Sequence, residues 1–207
     1  MGTKDASNAR GDSIARAALL SLAYVLPPLL LWAGTIPREY RFHTLLTMTA
    51  SMAVYAFVRG HTVRDLGFRA DTLKGSLAWN GGVTLLLTAC AWAAFSAGVI
   101  REPTRPAWEH FYLFYILVSS PAQEFLFRSL PFAEMNRAGL LRPSVHVLLS
   151  SAAYCLAHVF YGDLITLGAT LSMGIVWGAI YHRHPNFWGV MISHAVLGVV
   201  AIEVGII

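Results

Sequence analysis

Apolar residues occur along this chain in seven runs, separated by short polar connections. The runs cover about 15–34, 43–58, 76–99, 110–133, 145–161, 163–181 and 187–206. A helix needs roughly 17–25 apolar residues to cross a bilayer, so the second, fifth and sixth runs are short for a full span. The pattern predicts an all-α fold, a polytopic bundle of about seven transmembrane helices, with six to eight as the range.

The composition supports this class of protein. Of the 207 residues, 56% are hydrophobic and 13% are charged, whereas a soluble domain has about 25% charged residues. The length suits one compact unit, so we assign residues 1–13 to a polar N-terminal tail and residues 14–207 to a single transmembrane domain. The lipid bilayer is therefore an expected partner of the chain.

The net charge of +4 does not indicate a nucleic-acid partner, because the basic residues lie in short loops between apolar runs. Such residues set membrane orientation. With seven spans, ten Lys and Arg residues fall on the side of the N-terminus and four on the other side. The count predicts a multi-pass protein of the cytoplasmic membrane with a cytoplasmic N-terminus.

The fourth apolar run contains ionisable residues that hydrocarbon disfavours. Gln123, Glu124 and Arg128 lie in the segment Ser-Ser-Pro-Ala-Gln-Glu-Phe-Leu-Phe-Arg. A charged residue at the centre of a membrane helix costs about 2.5–3.5 kcal/mol, so such residues usually have a function. Glu124 and Arg128 are four residues apart and share a helix face, which predicts an ion pair. A purely structural ion pair is the simpler alternative, although apolar residues could fill that role at lower cost.

Two histidines lie inside other apolar runs, His158 in the fifth and His194 in the seventh. The rise per residue places both near the bilayer depth of Glu124. A carboxylate with imidazoles in a cavity that holds water can activate that water for hydrolysis. Tyr154 lies one turn before His158 and is expected to line the cavity and contact the substrate.

Other chemistries lack their sequence patterns. The chain has no His-Glu-x-x-His, no Gly-x-Ser-x-Gly and no second intramembrane acid that would form an aspartate-type dyad. Zinc held by Glu124, His158 and His194 is chemically feasible but has no supporting spacing. We therefore expect no cofactor and leave metal dependence open.

These residues resemble the motifs of the CPBP family of CAAX proteases and bacteriocin-processing enzymes, which are glutamic-type intramembrane endopeptidases. The motifs are Gln123-Glu124-Phe-Leu-Phe-Arg128, Tyr154-Cys-Leu-Ala-His158 and His194-Ala-Val-Leu-Gly198. Leu66-Gly67-Phe68-Arg69 resembles a segment common upstream of the family core, so the resemblance covers about residues 65–200.

The resemblance implies a hydrolase that cleaves a membrane-associated peptide or protein. In the family pattern, a Glu and the second-motif His activate water, and the last-motif His and Asn hold the oxyanion. Here Gln123 stands where the family has its first Glu, and Gly198 stands where the family has its Asn. An amide cannot take a proton from water at neutral pH.

Three functions remain open at this level. In the first, the chain is an enzyme in which Glu124 acts as the base together with His158, while Gln123 donates a hydrogen bond to the oxyanion. Alternatively, the chain is a non-catalytic relative that binds a membrane peptide or a partner protein. Thirdly, the cavity conducts ions or protons, which usually requires more than one intramembrane acid. CAAX-like, leader-peptide and sorting-signal substrates all fit, and the sequence indicates no oligomeric state.

Overall fold

The computed structural model describes residues 3–140 and 142–207, with side chains from residue 16 onward. All regular structure in these ranges is helical. The helices are α1 (Thr3–Trp32), α2 (Arg41–Val58), α3 (Leu73–Ser96), α4 (111–137), α5 (Pro143–Leu156), α6 (Leu164–Arg183) and α7 (Phe187–Glu203). The predicted all-α bundle of about seven helices is confirmed. Helix α1 begins within the segment assigned above to the polar tail.

Three helical segments within the described ranges are long and apolar enough to cross a membrane, at residues 73–96, 143–161 and 164–183. Residues 16–32 and 187–203 form shorter apolar helices. Only 6% of the most apolar window of α3 is buried inside the protein. Such an exposed apolar surface is typical of a membrane protein. The exact number of crossings and the orientation remain predictions.

One end of the bundle is made by the loops that follow α2, α4 and α6. Gly67, at a φ of +84° that favours glycine, accepts a hydrogen bond at its carbonyl oxygen from the Phe187 N–H at 2.9 Å. Phe68 stacks on Phe187 with ring centroids 4.4 Å apart. Asn186 caps α7 and donates through Nδ2 to the Arg69 carbonyl oxygen at 2.5 Å. The segment 66–69 thus fixes the start of α7, which carries His194.

The opposite end contains the loops after α1, α3 and α5 and the C-terminal residues. Asp163 caps α6 through the N–H groups of Ile165 and Thr166. The Thr166 hydroxyl donates to this carboxylate at 2.7 Å and holds the pKa of Asp163 below its usual value. Arg101 bonds both to Asp163, at 2.9 Å, and to the Gly205 carbonyl oxygen, at 2.9 Å. Arg101 therefore joins three segments at this end.

Helix α4 contains two π-helical turns, at Tyr115–Ser119 and Phe125–Ser129. Pro121 and Pro131 follow these turns closely, and proline has no N–H for the carbonyl four residues earlier. The freed carbonyl oxygen of Phe127 accepts a hydrogen bond from the Ser150 hydroxyl of α5. The carbonyl oxygen of Leu126 accepts one from Tyr24 of α1, at 2.6 Å. Neighbouring helices thus satisfy the irregular backbone of α4.

Helices α5 and α6 pack closely because small residues face each other. A β-carbon at Gly174 would lie 3.0 Å from the Cα of Ser151, so the backbones approach too closely for a larger residue. This contact fixes α5, and with it Tyr154, against α6.

We predict that Ser150→Ala destabilises the protein by about 1–3 kcal/mol, because the buried Phe127 carbonyl oxygen loses its donor. The cost should shrink in a Pro131→Ala background, where residue 131 supplies an N–H four residues after Phe127. Thermal unfolding of the wild type, of each single variant and of the double variant in one detergent measures the coupling between positions 150 and 131. Equal costs in both backgrounds would contradict this account of the α4 backbone.

Candidate active site

A fully buried ion pair lies at the centre of the bundle. Glu124 and Arg128 have no exposed surface, and Oε1 of Glu124 is 3.3 Å from Nη1 of Arg128. The same carboxylate oxygen is 2.5 Å from Nδ1 of His194. Because a carboxylate only accepts hydrogen bonds, Nδ1 of His194 is the donor. The contact joins α4 to α7.

Aromatic rings surround the Arg128 guanidinium. Its central carbon lies 4.3 Å from the centroid of the Tyr154 ring and 5.3 Å from that of Trp177. The three guanidinium nitrogens have no hydrogen-bond partner within the described part of the chain. Glu124 and the two ring faces therefore stabilise this buried cation together.

Tyr154 connects the two histidines. Its hydroxyl lies 3.2 Å from Nε2 of His194, and its carbonyl oxygen lies 2.8 Å from Nδ1 of His158. With Nδ1 of His194 donating to Glu124, Nε2 accepts the Tyr154 hydrogen. Tyr154 is only 4% exposed, so it forms part of the bundle interior.

Trp177 of α6 holds the His194 ring. The two rings are stacked, with centroids 4.7 Å apart and planes 23° apart. The indole N–H donates to the Ser193 hydroxyl at 2.9 Å, and this hydroxyl is 2.7 Å from that of Thr84 in α3. The sequence does not predict Trp177 and Ser193 at this site, because nothing in their spacing distinguishes them from ordinary packing residues.

A cavity of about 460 Å³ lies beside this network. Part of its lining comes from the end of the bundle that contains Arg101. From there the cavity extends to Ser119, Gln123 and His158 in the interior. A smaller, largely apolar cavity of about 70 Å³ also reaches Ser119, Gln123 and His158. The two cavities therefore meet at these residues, and the larger one has the size of a small-ligand pocket.

His158 lines both cavities, and its Nε2 has no hydrogen-bond partner among the described residues. The residue follows the end of α5, and its Nδ1 bonds to the Tyr154 carbonyl oxygen. Because that oxygen can only accept, Nδ1 carries the hydrogen of the neutral ring and Nε2 keeps its lone pair. Tyr161 stacks on His158 with ring planes 13° apart, which restrains the imidazole.

Gln123 lies next to Glu124 in sequence but faces the cavity. Its Nε2 donates to the Ser119 hydroxyl at 3.0 Å, and its Oε1 has no hydrogen-bond partner among the described residues. An unpaired amide oxygen can accept a hydrogen bond from a water molecule but cannot deprotonate it.

The structure thus separates the predicted residues into two groups. Glu124, Arg128, Tyr154 and His194 form the buried network, and Gln123 and His158 line the cavities. Glu124 lines neither cavity and contacts His194 rather than His158. Catalysis by Glu124 and substrate contact by Tyr154 stay predictions. Among the described residues, no group of three or more His, Cys, Asp or Glu side chains has the geometry to hold a metal ion.

Residues 105–200 match a family model described as type II CAAX prenyl endopeptidase Rce1-like. This match supports assignment of the chain to the CPBP family. Comparisons with curated proteins and with solved structures found no match. The matched range includes all six predicted site residues of the CPBP motifs, and α1 to α3 lie before it. The match and the apolar helices support a membrane protein related to proteases.

We predict that Arg128→Met destabilises the protein by about 3–5 kcal/mol, because it leaves the buried Glu124 carboxylate without its cation. Adding Glu124→Gln should recover part of the loss, since the amide oxygen still accepts from His194. Thermal unfolding in a single detergent measures both effects. Arg64→Met, which removes an exposed partner of Asp71, is the control and should have little effect. If the two Met variants are equally stable, the network does not stabilise the fold.

Proposed function

We propose that this chain is an intramembrane endopeptidase that hydrolyses a peptide bond of a membrane-associated substrate. The observation that carries the proposal is that His158 lines a cavity with room for a peptide segment and that its Nε2 has no partner among the described residues. The match of residues 105–200 to a family model of CAAX-type proteases supports the same reaction.

In this mechanism, Nε2 of His158 takes the proton from a water molecule. After rotation of the Gln123 side chain, whose amide oxygen is buried in the structure, this oxygen accepts the second hydrogen of that water and orients its lone pair towards the scissile carbonyl carbon. A positioned general base contributes about 10²–10⁴-fold to such a step. Gln123 thus holds the water where the family pattern has a glutamate.

Glu124 supports the site from within the bundle. It fixes the His194 ring and the Arg128 guanidinium, and both of these contact Tyr154, whose carbonyl oxygen sets the tautomer of His158. Loss of Glu124 would therefore reduce activity through the position of His158. This differs from the prediction that Glu124 itself takes the proton, which predicts loss without any movement of His158.

We predict that His158→Ala lowers kcat by about 10²-fold or more, because the base is removed. Gln123→Glu should raise kcat, because a carboxylate beside the imidazole increases its basicity and can itself take a proton. The assay is cleavage of a membrane-anchored reporter peptide library in liposomes, with His43→Ala as an exposed-histidine control.

The same assay separates the alternatives. Full activity in His158→Ala would contradict this mechanism. Activity lost on addition of a chelator would indicate a metal enzyme. If all variants, including Gln123→Glu, bind peptides but cleave none of them, the result would favour a non-catalytic relative that binds membrane peptides.

The location of the larger cavity also indicates where substrate enters. It is lined by Thr104 and Arg105 of the loop after α3 and by Arg41 at the start of α2. These residues lie at the end opposite the loops after α2, α4 and α6. Those loops and the adjoining helix ends carry seven Lys and Arg residues, against four at the cavity end. The positive-inside rule places the richer end in the cytoplasm. We therefore propose that the substrate is presented from the extracytoplasmic side, which favours an exported protein among the substrate classes.

We predict that Thr104→Cys is labelled by a membrane-impermeant maleimide in intact cells, whereas Val63→Cys is labelled only after lysis. Both positions are exposed, and Cys90 and Cys155 are first replaced by Ala. The reverse labelling pattern would place the cavity mouth in the cytoplasm and favour a cytoplasmic C-terminal motif as substrate.

A further inference from the structure

The hydroxyl of Tyr115 occupies space in the larger cavity that a side chain at position 198 would otherwise fill. A β-carbon built on Gly198 falls on this hydroxyl and lies 2.7 Å from Tyr115 Cε1. Gly198 is buried in α7 and has an ordinary helical backbone, so its absent side chain is needed for space. Both residues line the cavity that contains Gln123 and His158.

Contacts on two sides hold the Tyr115 ring in this place. It stacks on Phe111 at a centroid distance of 6.0 Å with planes 16° apart, and its edge meets the His194 ring at 6.2 Å. Tyr115 is also the first residue of the first π-helical turn, where its carbonyl oxygen accepts the Ser120 N–H. Ser119 and Gln123 follow at intervals of four residues, and all three residues face the cavity.

Three polar groups near Tyr115 already donate a hydrogen to an acceptor within the protein. The Gln123 amide donates to Ser119, the Nδ1–H of His158 to Tyr154 and the Nδ1–H of His194 to Glu124. The Ser120 hydroxyl lies beside the phenol and has no other partner among the described residues, so it can donate to the phenol oxygen and leave the phenol hydrogen free. A phenol keeps its hydrogen at neutral pH, so Tyr115 has a donor to offer.

We propose that the Tyr115 hydroxyl donates a hydrogen bond to the carbonyl oxygen of the scissile peptide and stabilises the oxyanion. The proposal rests on the function proposed above. Water oxygen bonds to the carbonyl carbon, its proton passes to Nε2 of His158, and the carbonyl π electrons move onto the oxygen that Tyr115 holds. When the tetrahedral intermediate collapses, the C–N bond breaks and the leaving nitrogen takes the proton from His158.

Tyr115→Phe tests this role because it removes the hydroxyl and keeps the ring. We expect kcat on the reporter peptide to fall by about 10²–10³-fold with a small change in KM, since the bond strengthens as charge develops. Tyr40→Phe removes an exposed phenol outside the cavity and should leave kcat unchanged. A kcat for Tyr115→Phe within twofold of wild type would overturn the proposal.

A second pair of variants moves the hydroxyl to the other helix. In Tyr115→Ala/Gly198→Ser, the serine oxygen can occupy the space vacated by the phenol, whereas Tyr115→Ala/Gly198→Ala offers none. Both proteins lose the same ring, so any loss of packing is shared. We expect the Ser variant to cleave at least about tenfold faster than the Ala variant, which corresponds to one hydrogen bond to a charged group. Equal rates would overturn the proposal.

A binding measurement tests the Tyr115 donor separately from the proposed endopeptidase function. If the wild-type protein cleaves no peptide, the endopeptidase function fails, and the donor is tested with a peptidyl aldehyde, whose carbonyl oxygen accepts a hydrogen bond. Binding weakened about two- to tenfold by Tyr115→Phe would still support a carbonyl donor. Equal binding, or no binding to either protein, would overturn it.

Discussion

A charge held in a medium that cannot solvate it constrains the centre of this molecule. Glu124 and Arg128 have no exposed surface, and helices α5, α6 and α7 all supply groups that make their burial tolerable. His194 donates to the carboxylate, and the faces of Tyr154 and Trp177 cover the guanidinium. Moving any of these helices leaves an unpaired ion in a low-dielectric interior, which costs several kcal/mol. The ion pair therefore specifies how the helices are arranged as well as stabilising them.

The adjacent residues Gln123 and Glu124 illustrate how one helix serves both the interior and the cavity. Neighbouring helical positions point about 100° apart, so one side chain enters the bundle and the next lines the cavity. The proposed base, His158, lies past the end of α5 and is restrained by the Tyr154 carbonyl oxygen and by Tyr161 rather than by helix packing. The buried network thus affects the cavity through a backbone group of Tyr154.

Much of this could be predicted from the sequence. The apolar runs predicted the helices, and the isolated acid with two intramembrane histidines predicted a meeting of helices, which the structure shows for Glu124 and His194. The contact of Tyr115 with Gly198 could not be predicted, because the residues are 83 apart and the π-helical turn shifts the register of α4. Nor does residue spacing show that His158 lies beyond its helix or that Glu124 faces away from the cavity. Those facts depend on helix ends and rotations, which the apolar pattern defines only approximately.

Helix α3 has a consequence for any measurement of stability. Large apolar side chains such as Leu85 and Leu86 are exposed on one side of this helix, while Thr84 and Ser76 bring its other side against α7. In water that surface would drive aggregation, so the folded state exists only with an amphiphile around α3. The free energy of unfolding is therefore a property of the chain and its surrounding lipid or detergent together. Values obtained in two different detergents describe two different thermodynamic systems.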